Sequence, residues 1–511
     1  MNVSLKRYIK VLPALLTPLF LTLSFPDHDQ GWLIWIALVP LLMVSAGLRP
    51  AASFGVGLIA GLVSFFGIFW WAFHISGFRY FHGIIVAFYL GLYPAFFSAA
   101  ISFSRRARIS LIIVAPLVWV SLDFLRSHVG FLSLPWASLA HSQHGYPVVL
   151  QISAITGEYG LTFLIVLVNA VITSVLLGLR EHRLQIFTAA TVLSVLLFGM
   201  YELRSNPPSR PFRVAAVQPC INPGEQDSDP GQAKTLKKLE VLTSKASASR
   251  PDLIVWPETA VLNLPASPEL GKKLENISRT YDVPLLLGAS ERVKFNNHPL
   301  GPSRSGIRSY NAAYLVHAAA GTPQTPYRKN VLVPFGEYLP FGDTVRWPSW
   351  FVSEGFETVA GNELTIFTLK NGTKLGVLIC WENLFSELAR NEVRAGADLL
   401  VNMSNDIWSG NTSAPGQHNS ASVLRAVENA VPVIVASNAG PSRIIDPKGR
   451  TIKASGILVR DAISGDVPLR HKTTVYTRFG DYFAWACILV LFLIFICCAL
   501  HSIHLKNKKR E

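Results

Sequence analysis

Residues 376–382 read Gly376-Val377-Leu378-Ile379-Cys380-Trp381-Glu382. A short apolar run leads straight into a thiol, and such a run, bounded by turn residues, predicts a buried strand with Cys380 at its end. The strand is placed at 375–380. Similar runs rich in Val, Ile or Leu lie at 212–218, 252–256, 283–288, 398–403 and 432–437. Amphipathic stretches at 231–247, 267–281, 384–395 and 417–430 predict helices between them. Ser267-Pro268-Glu269 supplies the cap, the first-position proline and the first-turn acid of a helix start. Strands alternating with helices predict an α/β domain over 205–480.

The rest of the chain has another texture. Half of the 511 residues are hydrophobic and 15% are charged, against about a quarter charged in soluble proteins. A membrane span needs roughly 20 apolar residues. Candidates fall at 9–25, 31–48, 53–74, 83–103, 109–125, 161–179 and 185–201, with an eighth at 482–502. The first is not read as a cleaved signal peptide, because Phe25-Pro26-Asp27 follows directly and no small-residue cleavage site is present. The expected organisation is a transmembrane domain over 1–204, the α/β domain over 205–480, and a final span with a basic tail over 481–511.

The net charge of +14 does not gather into a nucleic-acid-binding face. Many of the basic residues lie in short links between apolar runs. Lys6, Arg7, Lys10, Arg49, Arg105, Arg106, Arg108, Arg180, Arg183, Lys506, Lys508, Lys509 and Arg510 all fall on one side of an eight-span bundle. The opposite links offer mainly Arg79 and Arg126. The positive-inside rule then puts both termini in the cytoplasm and residues 205–480 outside. Of the five cysteines, Cys487, Cys497 and Cys498 lie in an apolar run and read as small hydrophobes. No paired spacing suggests a zinc site or a disulfide framework.

Three polar residues stand out by position. Glu258 ends Asp252-Leu253-Ile254-Val255-Trp256-Pro257-Glu258, Lys329 follows Arg328, and Cys380 ends its strand. Strand ends are where an α/β domain offers side chains to a crevice on a rigid support. A carboxylate can take a thiol's proton, and an ammonium can lower the thiol pKa and steady an oxyanion. Spacing alone leaves the bland readings open: a surface acid and a core thiol.

The motifs add to this. Trp256-Pro257-Glu258, Tyr327-Arg328-Lys329 and Cys380-Trp381-Glu382 resemble the three ordered motifs of the nitrilase, or carbon–nitrogen hydrolase, superfamily. The whole chain is similar to that superfamily's membrane branch, the apolipoprotein N-acyltransferases. Supporting stretches are Leu332-Val333-Pro334-Phe335-Gly336-Glu337-Tyr338-Leu339-Pro340, Asn405-Asp406-Ile407-Trp408, Arg425-Ala426-Val427-Glu428, Leu134-Pro135-Trp136, Gly157-Glu158-Tyr159-Gly160 and Tyr476-Thr477-Arg478-Phe479-Gly480-Asp481.

The resemblance implies an αββα sandwich joined to a multi-pass bundle of about eight spans. It implies a ping-pong acyl transfer with Cys380 as nucleophile, Glu258 as general base and Lys329 as oxyanion stabiliser, supported by Glu337, Trp381, Glu382 and Trp408. The implied donor is the sn-1 chain of a phospholipid, typically phosphatidylethanolamine. The implied acceptor is the α-amine of an S-diacylglyceryl-cysteine lipoprotein. No metal or organic cofactor is implied, and the enzyme is expected to be a monomer in the bacterial inner membrane with its catalytic domain in the periplasm. Two positions depart from the family pattern. Trp381 stands where Tyr is usual, and 221–230 lacks a Trp that many relatives carry.

Other features carry two readings each. The aromatic stretch 339–357, with Trp347, Trp350, Phe351 and Phe356, is either a loop packed on its own domain or a lid at the membrane interface. Asp123 and Arg126 read first as anchors reaching the headgroups and second as recognition groups. His141, His144 and His418 make no ligand set, and His418 reads as structural. Cys220 reads as incidental. The competing functions are a membrane-tethered nitrilase-type amidase, which eight spans disfavour, and a transporter with a sensor domain, which the scarcity of intramembrane charge disfavours.

Overall fold

The computed structural model describes residues 11–205, 209–226, 228–294, 307–317, 324–342, 344–348, 350–352, 358–469 and 473–508. The chain folds as two compact units. One comprises 1–73, 78–205 and 479–511, and the other 74–77 and 206–478.

The first unit is helical throughout its described residues. Five helices are long and apolar enough to cross a membrane: Pro50–Ile68, Tyr80–Arg106, Ser153–Leu176, His182–Arg204 and Tyr482–His501. Apolar helices also occupy the other three expected positions, but Leu12–Ser24 and Gly31–Gly47 are shorter, and Leu111–Ser127 spans 17 residues. Helix length therefore supports five crossings and not the full count of eight. Close backbone approach holds part of this unit together. A Cβ on Gly57 would lie 2.4 Å from the Pro94 carbonyl, and one on Gly61 would lie 2.7 Å from the Gly91 Cα. Lys6, Arg7, Lys10, Lys509 and Arg510 lie outside the described residues.

The second unit contains, among its described residues, strands β1 (Arg210–Gln218), β2 (Leu253–Val255), β3 (Leu285–Lys294), β4 (Ile307–Val316), β5 (Tyr327–Arg328), β6 (Phe367–Thr368), β7 (Lys374–Ile379), β8 (Leu399–Ser404), β9 (Val433–Ser437), β10 (Arg443–Ile445), β11 (Thr451–Ala454) and β12 (Asp461–Leu469). They form two six-stranded sheets, β12-β1-β2-β3-β4-β5 and β11-β10-β9-β8-β7-β6. The central strands are parallel: β1 with β2, β2 with β3, β7 with β8 and β8 with β9. The outer pairings are antiparallel.

The sheets face each other across one core. Val214, Ala216, Val255 and Leu286 of the first meet Val377, Ile379, Val401 and Ile434 of the second. The alternate residues Ala215, Val217, Ile254, Trp256, Leu285 and Leu287 face outward onto Leu239, Leu242, Leu274 and Ile277. Those four sit on helices Asp229–Ser247 and Pro268–Tyr281. Helices Ser386–Arg394 and Ala414–Asn429 pack on the second sheet. This is the expected αββα sandwich. Burial on both faces is why the central strands read as unbroken apolar runs instead of alternating patterns. The helix start at 267 forms as its chemistry dictates: the Ser267 hydroxyl accepts from the Leu270 N–H at 3.3 Å.

Candidate active site

The parallel strands β2, β7 and β8 end at Val255, Ile379 and Ser404. The chain beyond these ends carries Glu258, Cys380 and Asp406. Lys329 follows β5, whose register against β4 pairs Arg328 with Ala312. The Lys329 N–H bonds the Asn311 carbonyl at 2.8 Å, and the Asn311 side chain donates to Glu258 Oε1 at 2.6 Å. One short antiparallel pairing thus places both the lysine and the partner of the glutamate.

Glu258, Lys329 and Cys380 come together here. Lys329 Nζ stands 4.0 Å from Glu258 Oε1 and 2.8 Å from Glu337 Oε2. It is 1% exposed, so its ammonium has two carboxylates in place of water. Burial alone would lower its pKa, but Glu337, Cys380 and Glu258 together outweigh that and raise it. Lys329 is therefore a fixed cation. Burial pushes the Glu258 carboxyl up, opposed by Lys329. Cys380 keeps part of its surface open. Its thiol is nonetheless pushed well up, first by burial and then by the charge of Glu258, with Lys329 only partly offsetting them. Lys329 thus favours the thiolate only in part, and Glu258 is the neighbouring carboxylate that can take the thiol proton.

Glu382 joins the two halves of the site. It is fully buried. Oε1 accepts from the Asn330 and Val331 N–H groups at 2.7 and 2.9 Å. Oε2 accepts from the Tyr327 hydroxyl and the Ile379 N–H, both at 2.8 Å. One carboxylate therefore ties the lysine loop to the base of the cysteine turn. Glu337 does the same within the lysine loop, accepting from Lys329 Nζ and from the Val333 N–H at 2.8 Å. Trp381 lacks the usual hydroxyl but brings its own donor, since its indole N–H bonds the Val331 carbonyl at 2.8 Å. Trp408 lies on the short turn Ile407–Ser409 that follows Asp406.

Close approach and backbone strain shape the rim. A Cβ on Gly288 would fall 2.5 Å from the Pro257 carbonyl and 2.7 Å from the Glu258 Cα, so β3 runs under the Glu258 turn only as glycine. Thr259, Phe335, Cys380 and Asp406 all have left-handed backbones, with φ of 47°, 58°, 56° and 52°. For non-glycine residues this conformation is uncommon and strained.

Helix Ala414–Asn429 braces the cysteine turn. His418 Nε2 lies 3.1 Å from the Cys380 carbonyl. Asn383 donates to the His418 carbonyl and the Ser422 hydroxyl at 3.0 and 2.9 Å. Arg425 reaches the Leu384 carbonyl at 3.1 Å and pairs with Glu428. The sequence reading missed Asn311, quoted Tyr327 only as part of a motif, and took His418 as structural without its target. The missed signal was polar residues at 418, 422 and 425, one face of a helix that is buried all round.

The remaining candidates settle differently. Asp123 and Arg126 pair at 2.5 Å, and Arg126 also donates to the Trp136 carbonyl at 2.7 Å. Asp123 is 6% exposed. The pair turns inward, which replaces the anchor reading, because charges in apolar surroundings must satisfy one another. It lines a small cavity with Phe65, Tyr93 and Trp119. His141 meets Glu158 and His144 meets Asp29, so the histidines hold separate partners. Among the described residues no cluster of His, Cys, Asp or Glu could hold a metal ion. In the aromatic stretch, Trp347 stacks on Phe351, and both rings meet Phe335 edge-on. Phe341 and Trp350 stay about 60% exposed. Phe356 lies outside the described residues.

A carboxylate, an ammonium and a thiol gathered at the strand ends of an αββα sandwich define an enzyme of the carbon–nitrogen hydrolase type, and residues 213–471 match that family. Residues 18–171 match the N-terminal domain of apolipoprotein N-acyltransferase. The apolipoprotein N-acyltransferase of Geobacter metallireducens is 33% identical over 496 residues, 93% of each chain. The protein named apolipoprotein N-acyltransferase 1 in Treponema denticola is 28% identical over 95% of each. Among solved structures, Nit3 of Saccharomyces cerevisiae, a member of branch 10 of the nitrilase superfamily, matches at 20% identity. That match has a TM-score of 0.38 and covers 52% of this chain and 92% of Nit3. The chain belongs to the apolipoprotein N-acyltransferase family and is a membrane acyltransferase.

Proposed function

We propose that the enzyme moves the sn-1 acyl chain of a phospholipid, typically phosphatidylethanolamine, to the α-amino group of an N-terminal S-diacylglyceryl-cysteine in bacterial lipoproteins. The observation that carries this reading is the buried Lys329 ammonium held between Glu258 and Glu337 beside the Cys380 thiol. Glu258 takes the thiol proton as Sγ attacks the ester carbonyl. The Lys329 ammonium steadies the oxyanion of the tetrahedral intermediate. Collapse breaks the ester C–O bond, and Glu258 returns the proton to the departing lysophospholipid. The Cys380 thioester is then attacked by the lipoprotein amine, whose proton Glu258 accepts, and the thiol is regenerated as the amide forms. Glu337, Glu382, Trp381 and Trp408 support this set, and no cofactor takes part.

The reading places the enzyme in the bacterial inner membrane as a monomer with eight spans. Its parts are the membrane regions 1–204 and 481–511 and the catalytic region 205–480. The one-sided distribution of Lys and Arg supports cytoplasmic termini and a periplasmic catalytic region. The test mixes the purified protein with phospholipid and a diacylglyceryl-cysteine peptide and follows peptide mass. A gain of one acyl chain that vanishes in Cys380→Ala supports the transfer. Free fatty acid or ammonia with an unmodified peptide overturns it in favour of hydrolysis.

A further inference from the structure

Directly behind the nucleophile lies a buried histidine–aspartate pair that the steps above do not use. The His418 ring is 2% exposed, and so is Asp406. Nε2 lies 3.1 Å from the Cys380 carbonyl oxygen. Nδ1 lies 3.3 Å from Asp406 Oδ1. Both partners are acceptors, and a carbonyl oxygen can be nothing else. A neutral imidazole carries one N–H and can satisfy only one of them. Asp406 is in turn held as a carboxylate. Its Oδ2 accepts from the Ser404 and Ser437 hydroxyls. Burial raises its pKa, but the His418 contacts and these two hydroxyls outweigh that and hold it below the usual range.

We propose that His418 is an imidazolium, held by the Asp406 carboxylate, that grips the Cys380 carbonyl and sets a fixed positive charge behind the nucleophile. His418 is a positioning residue: it acts through the Cys380 backbone and touches no substrate. Its grip also helps Cys380 keep its left-handed backbone at φ 56°. The neighbouring charges leave this cation room to act. Arg425 and Glu428, further along the same helix, pair with each other. Glu382 of the cysteine turn is occupied by four donors. Glu258, Lys329 and Glu337 all act on the Cys380 thiol, and Asp406 adds a further negative charge there. The His418 cation offsets that negative charge as the thiolate forms.

The inference rests on Cys380 being the nucleophile, but its test does not use transfer. The full chain in detergent is alkylated with iodoacetamide across a pH series, and the peptide containing Cys380 is quantified by mass spectrometry. His418→Gln keeps a donor for the carbonyl and removes the charge. In His418→Gln the pH of half-maximal alkylation should rise by about one unit, a roughly tenfold slower reaction at fixed pH below the midpoint. An unchanged midpoint in a variant that melts like the wild type overturns the proposal. Nitrogen-15 NMR of the His418 ring in the wild-type protein decides the matter if His418→Gln does not fold: two protonated ring nitrogens uphold the proposal, and one overturns it. Failure of acyl transfer in the wild type would instead sink the nucleophile assignment, so the two readings fail separately.

Discussion

Replacing Glu382 should unfasten the site before it unfolds the domain. The carboxylate is fully buried and accepts four hydrogen bonds, three of them from backbone N–H groups. In Glu382→Gln one oxygen becomes an NH2 group. Its least costly orientation faces Tyr327, whose hydroxyl can turn to accept, and the Ile379 N–H then loses its partner. One orphaned buried donor costs about 1–3 kcal/mol, which corresponds to a fall in melting temperature of roughly 2–10 °C for a domain of this size. Glu382→Ala orphans all four donors, about 4–12 kcal/mol by the same reasoning, and that is comparable with a whole domain's stability. Acyl transfer should suffer more than stability in the Gln variant. The lost bond closes the cysteine turn between Ile379 and Glu382, so the nucleophile can shift while the ties to the lysine loop remain, and a displacement of about 1 Å between reacting groups can cost roughly a hundredfold in rate. Thermal unfolding in detergent and single-turnover acylation by phospholipid measure the two effects. A Glu382→Ala protein that melts like the wild type and acylates at its rate would refute the assignment of this carboxylate as the tie.

The pH behaviour of Glu258 has a definite sign. Its folded pKa is raised above the ordinary 4.5, so the folded state binds the proton more tightly than the unfolded state. Its contribution to stability is full below pH 4.5 and is lost as pH rises through the folded value. Denaturant unfolding between pH 4 and 7 should therefore show a downward term that Glu258→Gln lacks, while acylation gains an acid limb above 4.5. Gly288→Ala should cut transfer by at least tenfold, because the added methyl meets the Pro257 carbonyl and displaces Glu258; wild-type kinetics in this variant would contradict the close approach. Trp347→Ser should lower the melting temperature by dismantling the stack on Phe351 and Phe335. The exposed Trp350→Ser should leave melting unchanged and slow acylation by phospholipid vesicles, and equal vesicle rates would count against a lid.

The central strands were legible because burial on both faces leaves Val, Ile and Leu no polar interruption. That is why the runs leading to Glu258 and Cys380 stood out. The six strands that went unread lack this signature. β5 and β6 are two residues long, β11 is wholly exposed, and β12 mixes buried and half-buried positions. Lys329 follows one of these short strands, so no apolar run led to it, and its place in a basic pair and the Tyr327-Arg328-Lys329 motif were what pointed to it. Asn311 had no local signal at all. Its place beside Glu258 is a product of β4–β5 register, which no window of sequence contains. His418 was visible as a polar residue in a helix. Its target was not, because that lies 38 residues away in the chain.

The four left-handed residues around the site have a consequence for anyone reshaping this protein. Thr259, Phe335, Cys380 and Asp406 each sit where glycine would relax the backbone. A redesign guided by robustness alone would choose glycine at all four, and each change would remove a side chain or loosen a turn that aims one. These positions mark where durability and reactivity pull the same backbone in opposite directions. Cys380→Gly, with neither thiol nor strain, should then be the more durable protein and the silent one.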